Sequence, residues 1–575
     1  GEPLKAQETL QPLVAKADVD ADTLNMAAQA ALQLGDAKSA EALFTRAAKL
    51  KPDDARSRTA LALVQSAKGH PDAALAELEA ISASDPGTIA DMAIISARMS
   101  QRDFNAALKA VDVMERKQPD KPFAANLRGQ IQLVRKDPTA ARLSFESALA
   151  IDPLYYPAAA SLATLDLADK KPEEARRRFD KLLAADPKDL RSLLAVAEVR
   201  AQAGASKEEV SALLANAIKL NPTVATPRWL LVDLHLRRKD NRAALTAAQE
   251  GVAAIPDNPE LLDALGRAQQ ASGDLTQAIG TFNKVAAMQP LSPQAQMRLA
   301  EAYVAGKNEA GTRSSLQRAI EVAPRYLPAQ RALIQTELAA GRPDQALEMA
   351  RTVEKERPSE SVGFILAGDI EVSRRSWDAA ATAYRAGLSR EPSTELALKL
   401  HSVLAAAKRS GEADTLAVGW VKEHPQDADF RRYLGDAAVS KNDLSRAEAE
   451  YLSALKLQPD SPITLNNLAW VTNKLKKPGA AAYAERANAL RPGQPAFMDT
   501  QATILADSGE ASKALTIEQK VISLQPDHAP FRLNLAKLYI KTGDKAKARV
   551  ELDQLAKLGD KFSGQAEVGE LLKSL

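Results

Sequence analysis

"LGDAKSAEALFTRAAKLKP", residues Leu34 to Pro52, holds the marks of one helix ending, a second beginning and that second one ending. Gly35 suits the left-handed conformation that stops a helix. Asp36 can accept hydrogen bonds from the free amides that open the next, and Pro52 disfavours helix in the residue before it. Ahead of the turn Leu24, Ala27, Ala28, Ala31 and Leu32 recur at helical spacing, and after it Ala40, Leu43, Phe44, Ala47 and Ala48 do the same. The stretch reads as two amphipathic helices meeting at Gly35 and Asp36.

Outward from this tile the chain repeats it. Prolines closing an apolar helical pattern stand at Pro52, Pro86, Pro119, Pro153, Pro187, Pro222, Pro256, Pro290, Pro324, Pro358, Pro392, Pro425, Pro459, Pro492 and Pro526, at steps of 33 to 35 residues. Twelve residues before each proline, and before Asp560 where a sixteenth would fall, stands an alanine, with only Val210 and Thr312 as exceptions. A methyl group kept at one site predicts two helices crossing too closely for a larger side chain, since overpacking costs roughly 1–3 kcal/mol. The turn returns as "SGDLTQA", "AGRPDQA", "SGEASKA" and "TGDKAKA". Local bends are expected at "AQAGASKEEV", which carries an extra residue, and at "AGKNEAGTRSSL", which carries Thr312.

Composition agrees with closely packed helices. Apolar residues make up 45% of the 575 residues and aromatics 4%, so alanine and leucine must build the core, whereas a β-sandwich would want β-branched and aromatic residues. Length alone would predict roughly three to five domains, but an array of repeats escapes that rule. Lys and Arg number 76 against 74 Asp and Glu, with no long block of one sign, so nucleic-acid binding through a basic face is not expected. The chain has no cysteine, which removes disulfides, thiolate zinc sites and cysteine nucleophiles. No apolar run of about 18 residues is present to span a membrane. The start "GEPLKAQETL" lacks the regions of a signal peptide. Opening on Gly1, the chain reads as processed or cut, with any targeting information upstream.

A helix-turn-helix of 34 residues with these marks resembles the tetratricopeptide repeat, TPR. The resemblance covers about 16 helix pairs and implies an all-α, right-handed superhelical solenoid whose first helices line a concave groove. The array is expected to run continuously over residues 1–558, each repeat burying its apolar face mainly against its neighbours. A capping helix is expected over 559–575, with Val568, Leu571 and Leu572 facing inward.

Catalysis has no visible address. No two glycines are separated by a single residue, as the dinucleotide fingerprint requires, and Gly306 and Gly311 have P-loop spacing but are followed by Thr312 where lysine is needed. His70, His235, His401, His424 and His528 are scattered, with no pair at metal-ligand spacing on one helix. No G-x-S-x-G elbow occurs. No enzyme, metal or cofactor is expected.

Binding needs only a surface. On the TPR register the groove-facing residues of neighbouring first helices include Arg432, Asp436, Asn466, Trp470, Asn473, Lys474 and Asp499. Trp470 stands out, because large aromatics beside arginine serve as binding anchors; a tryptophan packing the repeat interface is the other reading. Asn467 and Asn534 occupy an asparagine position common in TPR helices, but the basic set of a dicarboxylate clamp is not in place, so chaperone-tail binding is not expected. Trp420 takes a slot where other repeats put Ala47, Ala148 or Ala319 and reads as core. Tyr155 and Tyr156 read as either a packed turn or part of a binding rim.

Three stretches resemble one bacterial family, the TPR-repeat lipoproteins of the PEP-CTERM/exosortase system: "ELEAISASDPGTIADMAIISARMSQRDFNAALKAVD", "LNNLAWVTNKLKKPGAAAYAERANALRPGQPAFMDT" and "LAKLGDKFSGQAEVGELLKSL". The resemblance implies an exported Gram-negative protein, periplasmic or outer-membrane-associated. It would be a scaffold for exopolysaccharide production and surface-protein export, with protein or peptide partners in the envelope machinery. A groove that directly binds one extended peptide or a glycan is the alternative. Members carry a lipid-bearing N-terminal cysteine, so an anchor here would lie upstream of Gly1.

Overall fold

The structure is a computed structural model and describes residues 3–16 and 18–575. Among the described residues the regular structure is helical, with one 3-10 turn at Gly559–Lys561 and no strand. The chain divides into two compact units, Gly1–Gln289 and Pro290–Leu575. The first holds a helix at Pro3–Val14, then eight helix pairs from Ala21–Gln33 with Ala37–Leu50 to Pro259–Ala271 with Leu275–Met288. The second holds eight pairs from Pro293–Ala305 with Glu309–Val322 to Ala529–Lys541 with Lys545–Ala556, then the helix Gln565–Ser574. Within each unit every helix packs on its neighbours in sequence, the arrangement of an all-α solenoid.

The turn of the opening stretch is built as its residues dictate. Gly35 sits at φ +82°, and the Asp36 carboxylate accepts from the Ser39 amide at 3.0 Å. The same capping bond recurs at Asp103, Asp137, Asp240, Asp274, Asp443 and Asp544. Where the chain lacks glycine, the left-handed place is taken by Asn442 and by eight cations, Arg102, Lys136, Lys170, Lys239, Lys307, Arg375, Lys408 and Lys476, at φ 54–64°. An L-residue there gives up roughly 1–2 kcal/mol to contact between its Cβ and the next carbonyl. All eight side chains are exposed.

The alanine column lies at the helix crossings: Ala40, Ala107, Ala141, Ala244 and Ala447 are fully buried, and Val210 and Thr312 fill the same slot, also buried. A second close contact goes beyond the alanine pattern. Gly129, Gly266, Gly368 and Gly435 each lie against an aromatic ring sixteen residues on, those of Phe145, Phe282, Tyr384 and Tyr451. A Cβ at Gly129 would sit 2.5 Å from the Phe145 ring, so only glycine admits the ring. Leu32 departs from the sequence reading. It is exposed, because it is the twelfth residue of its helix, on the face that the paired helix does not cover.

Buried charges are handled individually. Asp166 is fully buried and receives Arg142 and Arg178, each at 2.5 Å. Asp91 is fully buried too, with Lys117 at 2.7 Å and the Ser82 hydroxyl donating to it. At the C-terminus Val568 sinks among Leu533, Ala536, Leu552 and Leu555, with Leu571 and Leu572 packed on the same cluster.

Candidate partner-binding groove

Burial on the first helices leaves one face open. In Ala428–Ser440 the inward side is taken by Ala428, Phe430, Leu434, Gly435 and Ala438. Arg432 and Asp436, the fifth and ninth residues, are left half-buried. In Pro462–Lys474 the inward residues include Leu465, Leu468, Ala469 and Val471. Asn466 and Trp470 take the fifth and ninth places, half-buried, and Lys474 at the end is exposed.

These side chains form a connected set. Arg432 Nη1 donates to Asp436 Oδ2 at 3.0 Å. Asp436 Oδ1 accepts from the Tyr451 hydroxyl at 2.7 Å and from Asn467 Nδ2, across on the next first helix, at 3.0 Å. Burial, and then the Asp436 carboxylate, push the Tyr451 phenol well above its usual range, so it stays a donor. Asn466 Nδ2 donates to Asn467 Oδ1 at 3.3 Å, while the buried Asn466 Oδ1 receives no hydrogen bond within the chain. Trp470 packs half-buried against the cluster of Ala438, Tyr451, Leu468 and Val471, and the Lys474 ammonium lies 5.6 Å from its ring centroid. Asn473 reaches the next first helix through Asp507 at 2.8 Å.

Asp499 belongs to a different network. Its Oδ1 accepts from Asn534 Nδ2 at 2.6 Å, and its charge acts on Glu518 of the second helix Ala511–Leu524, a fully buried carboxyl. Burial, then the charge of Asp499, push Glu518 up to about 9, and burial raises Asp499 as well. The structure therefore gathers Arg432, Asp436, Asn466, Trp470 and Lys474, carries Asn473 to the next helix, and sets Asp499 apart beside Glu518, which holds its proton at neutral pH. Asn467 and Asn534 do the same work twice, each donating to an acid on the preceding first helix.

A second rung lies two repeats earlier and was absent from the sequence reading. The Tyr384 hydroxyl donates to Asp369 Oδ1 at 2.5 Å, and Lys399 Nζ on the next first helix reaches the same oxygen at 2.6 Å. Its signal was available: "GD" at Gly368 and at Gly435, each glycine followed sixteen residues on by a tyrosine. Trp420 is buried, donating its indole N–H to Asp427 at 2.8 Å and stacking on His424 at 3.8 Å. Tyr156 packs on Phe179 with Arg191 over its ring, which makes that segment a packed turn. His401 is buried against the Tyr433 hydroxyl at 2.8 Å. Among the described residues no three His, Cys, Asp or Glu side chains gather to hold a metal ion, and no helix is long and apolar enough to cross a membrane. The groove offers a cation, carboxylates, amides and an aromatic face on rigid helices, a set suited to recognising a polypeptide.

Two tetratricopeptide repeat family models match the chain. One matches residues 1–55, 92–156, 264–328, 331–395, 413–462 and 434–495, and the other 31–98, 134–198 and 505–572. The first alone spans more than half of the sequence, and the chain belongs to the tetratricopeptide repeat family. Among the curated proteins none matches. Similar solved structures include the APC/C hetero-tetramer Cut9–Hcn1, at 14% identity over 92% of this chain and 99% of that one with a TM-score of 0.30. Yeast Tom70 is similar at 14% over 79% and 95%, TM-score 0.33. Naa15/Naa10 bound to HypK-THB is similar at 14% over 96% of each, TM-score 0.33. The family assignment rests on the repeat match and not on these three.

Proposed function

We propose that the chain is a non-catalytic scaffold that holds protein partners along the first-helix face of its repeats. The observation that carries this is the connected set on Ala428–Ser440 and Pro462–Lys474. There Arg432, Asp436 and Trp470 stay half-buried and Lys474 exposed, so that a cation pair, a carboxylate and an aromatic ring are open on neighbouring first helices. Side chains of these types on an open face are the kind that anchor a protein partner. The test is affinity capture with the full chain, comparing the parent with the double variant Arg432→Ala, Trp470→Ala. Loss of the captured partner with an unchanged helical circular dichroism spectrum is expected; undiminished capture would refute the assignment.

The finer reading is a scaffold of the Gram-negative envelope, periplasmic or outer-membrane-associated, serving exopolysaccharide production and PEP-CTERM surface-protein export. Its support is the likeness of residues 77–112, 465–500 and 555–575 to lipoproteins of that system. The second of these stretches contains Asn466, Trp470, Asn473, Lys474 and Asp499. Fractionation of the native full-length protein tests it: recovery with the envelope is expected, and recovery only in the cytoplasm overturns it.

A further inference from the structure

The turn from Trp420 to Asp429 departs from the frame of the other repeats. Five residues before each of the other repeat prolines stands glycine, methionine or an aliphatic residue, as at Ala47, Gly251 and Val285. Here stands Trp420, with His424 directly before Pro425. The two rings stack with centroids 3.8 Å apart and planes 28° apart. The indole N–H and the Thr394 hydroxyl both donate to Asp427 Oδ2 at 2.8 Å, and the Phe430 amide donates to Oδ1 at 2.9 Å. All three donors are neutral, and among the described residues the Asp427 carboxylate has no ion pair.

These groups line a cavity of about 410 Å³ together with Asp429 and Gln458. It opens at the turns between repeats, at the starts of the first helices Thr394–Ala406 and Ala428–Ser440. Asp436, Asn466, Trp470 and Lys474 take no part in its walls. Two carboxylates line it, and no lysine or arginine does. Asp429 has only Arg432 beside it, at 3.7 Å, and its side chain is 63% exposed. The cavity therefore sets net negative charge beside a stacked aromatic pair.

A ring face attracts a cation through its quadrupole. A guanidinium adds two matches that an ammonium lacks: it is planar, so it stacks, and its N–H groups fork onto a carboxylate. A neutral ligand would leave both acid charges unanswered. We infer that the cavity binds a guanidinium group, stacked against the Trp420–His424 pair and hydrogen-bonded to Asp427 and Asp429. The group is either an arginine side chain of a protein partner or the head of a free alkylguanidine. The site lies on a different surface from the first-helix groove and stands or falls without it.

The probe is N-acetyl-arginine amide, whose blocked ends mimic a residue inside a polypeptide, added to the full chain labelled with nitrogen-15 at tryptophan. The chain has four tryptophans, so four indole N–H signals report, and Trp420→Phe identifies that of Trp420. A saturable shift of this one signal is expected, with none on adding N-acetyl-citrulline amide, which keeps the shape and loses the charge. Asp429→Asn and Asp427→Asn should each weaken binding about fivefold, as for one lost ion pair, with unchanged circular dichroism, since asparagine also caps a helix. His424→Leu removes the stacking face and should weaken binding while leaving both carboxylates in place. Ethylguanidine, the bare head group, separates the two sources: binding about as weak as the capped arginine assigns the site to a side chain, and binding at least tenfold tighter assigns it to a free alkylguanidine. Equal shifts from the arginine and citrulline probes, a shift that does not saturate, or unchanged affinity in both asparagine variants overturns the inference.

Discussion

The first helices of the two units differ in some of the side chains they leave open. In the first unit Leu63, Met92, Phe123, Leu133 and Val134 lie exposed on three successive first helices. In the second, Asp369 and Asp436 on first helices are tied by hydrogen bonds to tyrosine, lysine and asparagine, and Trp470 lies half-buried on the first helix after Asp436. Buried acids diverge as well. In the first unit Asp166 is held by two arginines: burial pushes its carboxyl up, but the hydrogen bonds from Arg178 and Arg142 outweigh that and keep it below the usual carboxylate range. In the second, Glu337 is held the same way by Arg313 and Arg342, whereas Glu518 meets another carboxyl and keeps its proton. The frame is shared and the electrostatics are local, so each unit can be perturbed in its own way.

The largest expected effect falls on the frame and should be the same in both units. Phe145→Ala in the first and Tyr451→Ala in the second each empty the ring site beside a glycine, and each should lose about 3–5 kcal/mol, read from urea unfolding. A much smaller loss in one unit would show that its repeats are not packed alike. Next comes Asp166→Asn, which strands Arg142 and Arg178 around a neutral amide and should cost about 2–3 kcal/mol near neutral pH. Because the folded carboxyl lies below 3.8, its contribution is complete above that value and is lost as pH falls through the folded value. The variant should therefore show a weaker acid destabilisation than the parent.

Glu518→Gln should move stability the other way, by about 2 kcal/mol in favour of the folded state near pH 8. The folded carboxyl holds its proton to about 9 while the unfolded one releases it near 4.5. The parent thus loses stability as pH rises between those values, with Lys537 and His528 acting on the neighbouring Asp499. Hydrogen exchange in 495–541 across that pH range checks it; a parent and variant with the same slope would show that Glu518 is ionised in the fold. The smallest effect belongs to the turns. Lys136→Gly in the first unit and Lys476→Gly in the second should each gain up to about 1 kcal/mol by relieving the left-handed backbone, measured as a rise in the thermal midpoint.

The period was legible because its signals are local: glycine or aspartate at a turn, proline after a helix and alanine at a crossing each act within a few residues. The glycine–aromatic contacts were harder to read, since each spans two helices and the ring alternates between Phe145 or Phe282 and Tyr384 or Tyr451. The helix at Pro3–Val14 was masked by Pro12 within it. Of the groove residues, register alone placed Arg432, Asp436, Asn466 and Trp470 on one face. It could not separate Asp499, whose partner Glu518 comes from a second helix, nor find the cavity lined by Trp377, Tyr384 and Tyr433, whose walls come from four helices.

The cationic turns have a consequence for how the molecule moves. Eight hairpins are closed by a residue whose backbone would rather be elsewhere, so their closing energies differ from those at Gly35 or Gly543 and from one another. In a chain whose repeats touch only their neighbours, such unevenness divides unfolding into separate local events in place of one all-or-none transition. A segment could then enter the groove from the side, through a repeat that has briefly opened, without having to be threaded from an end.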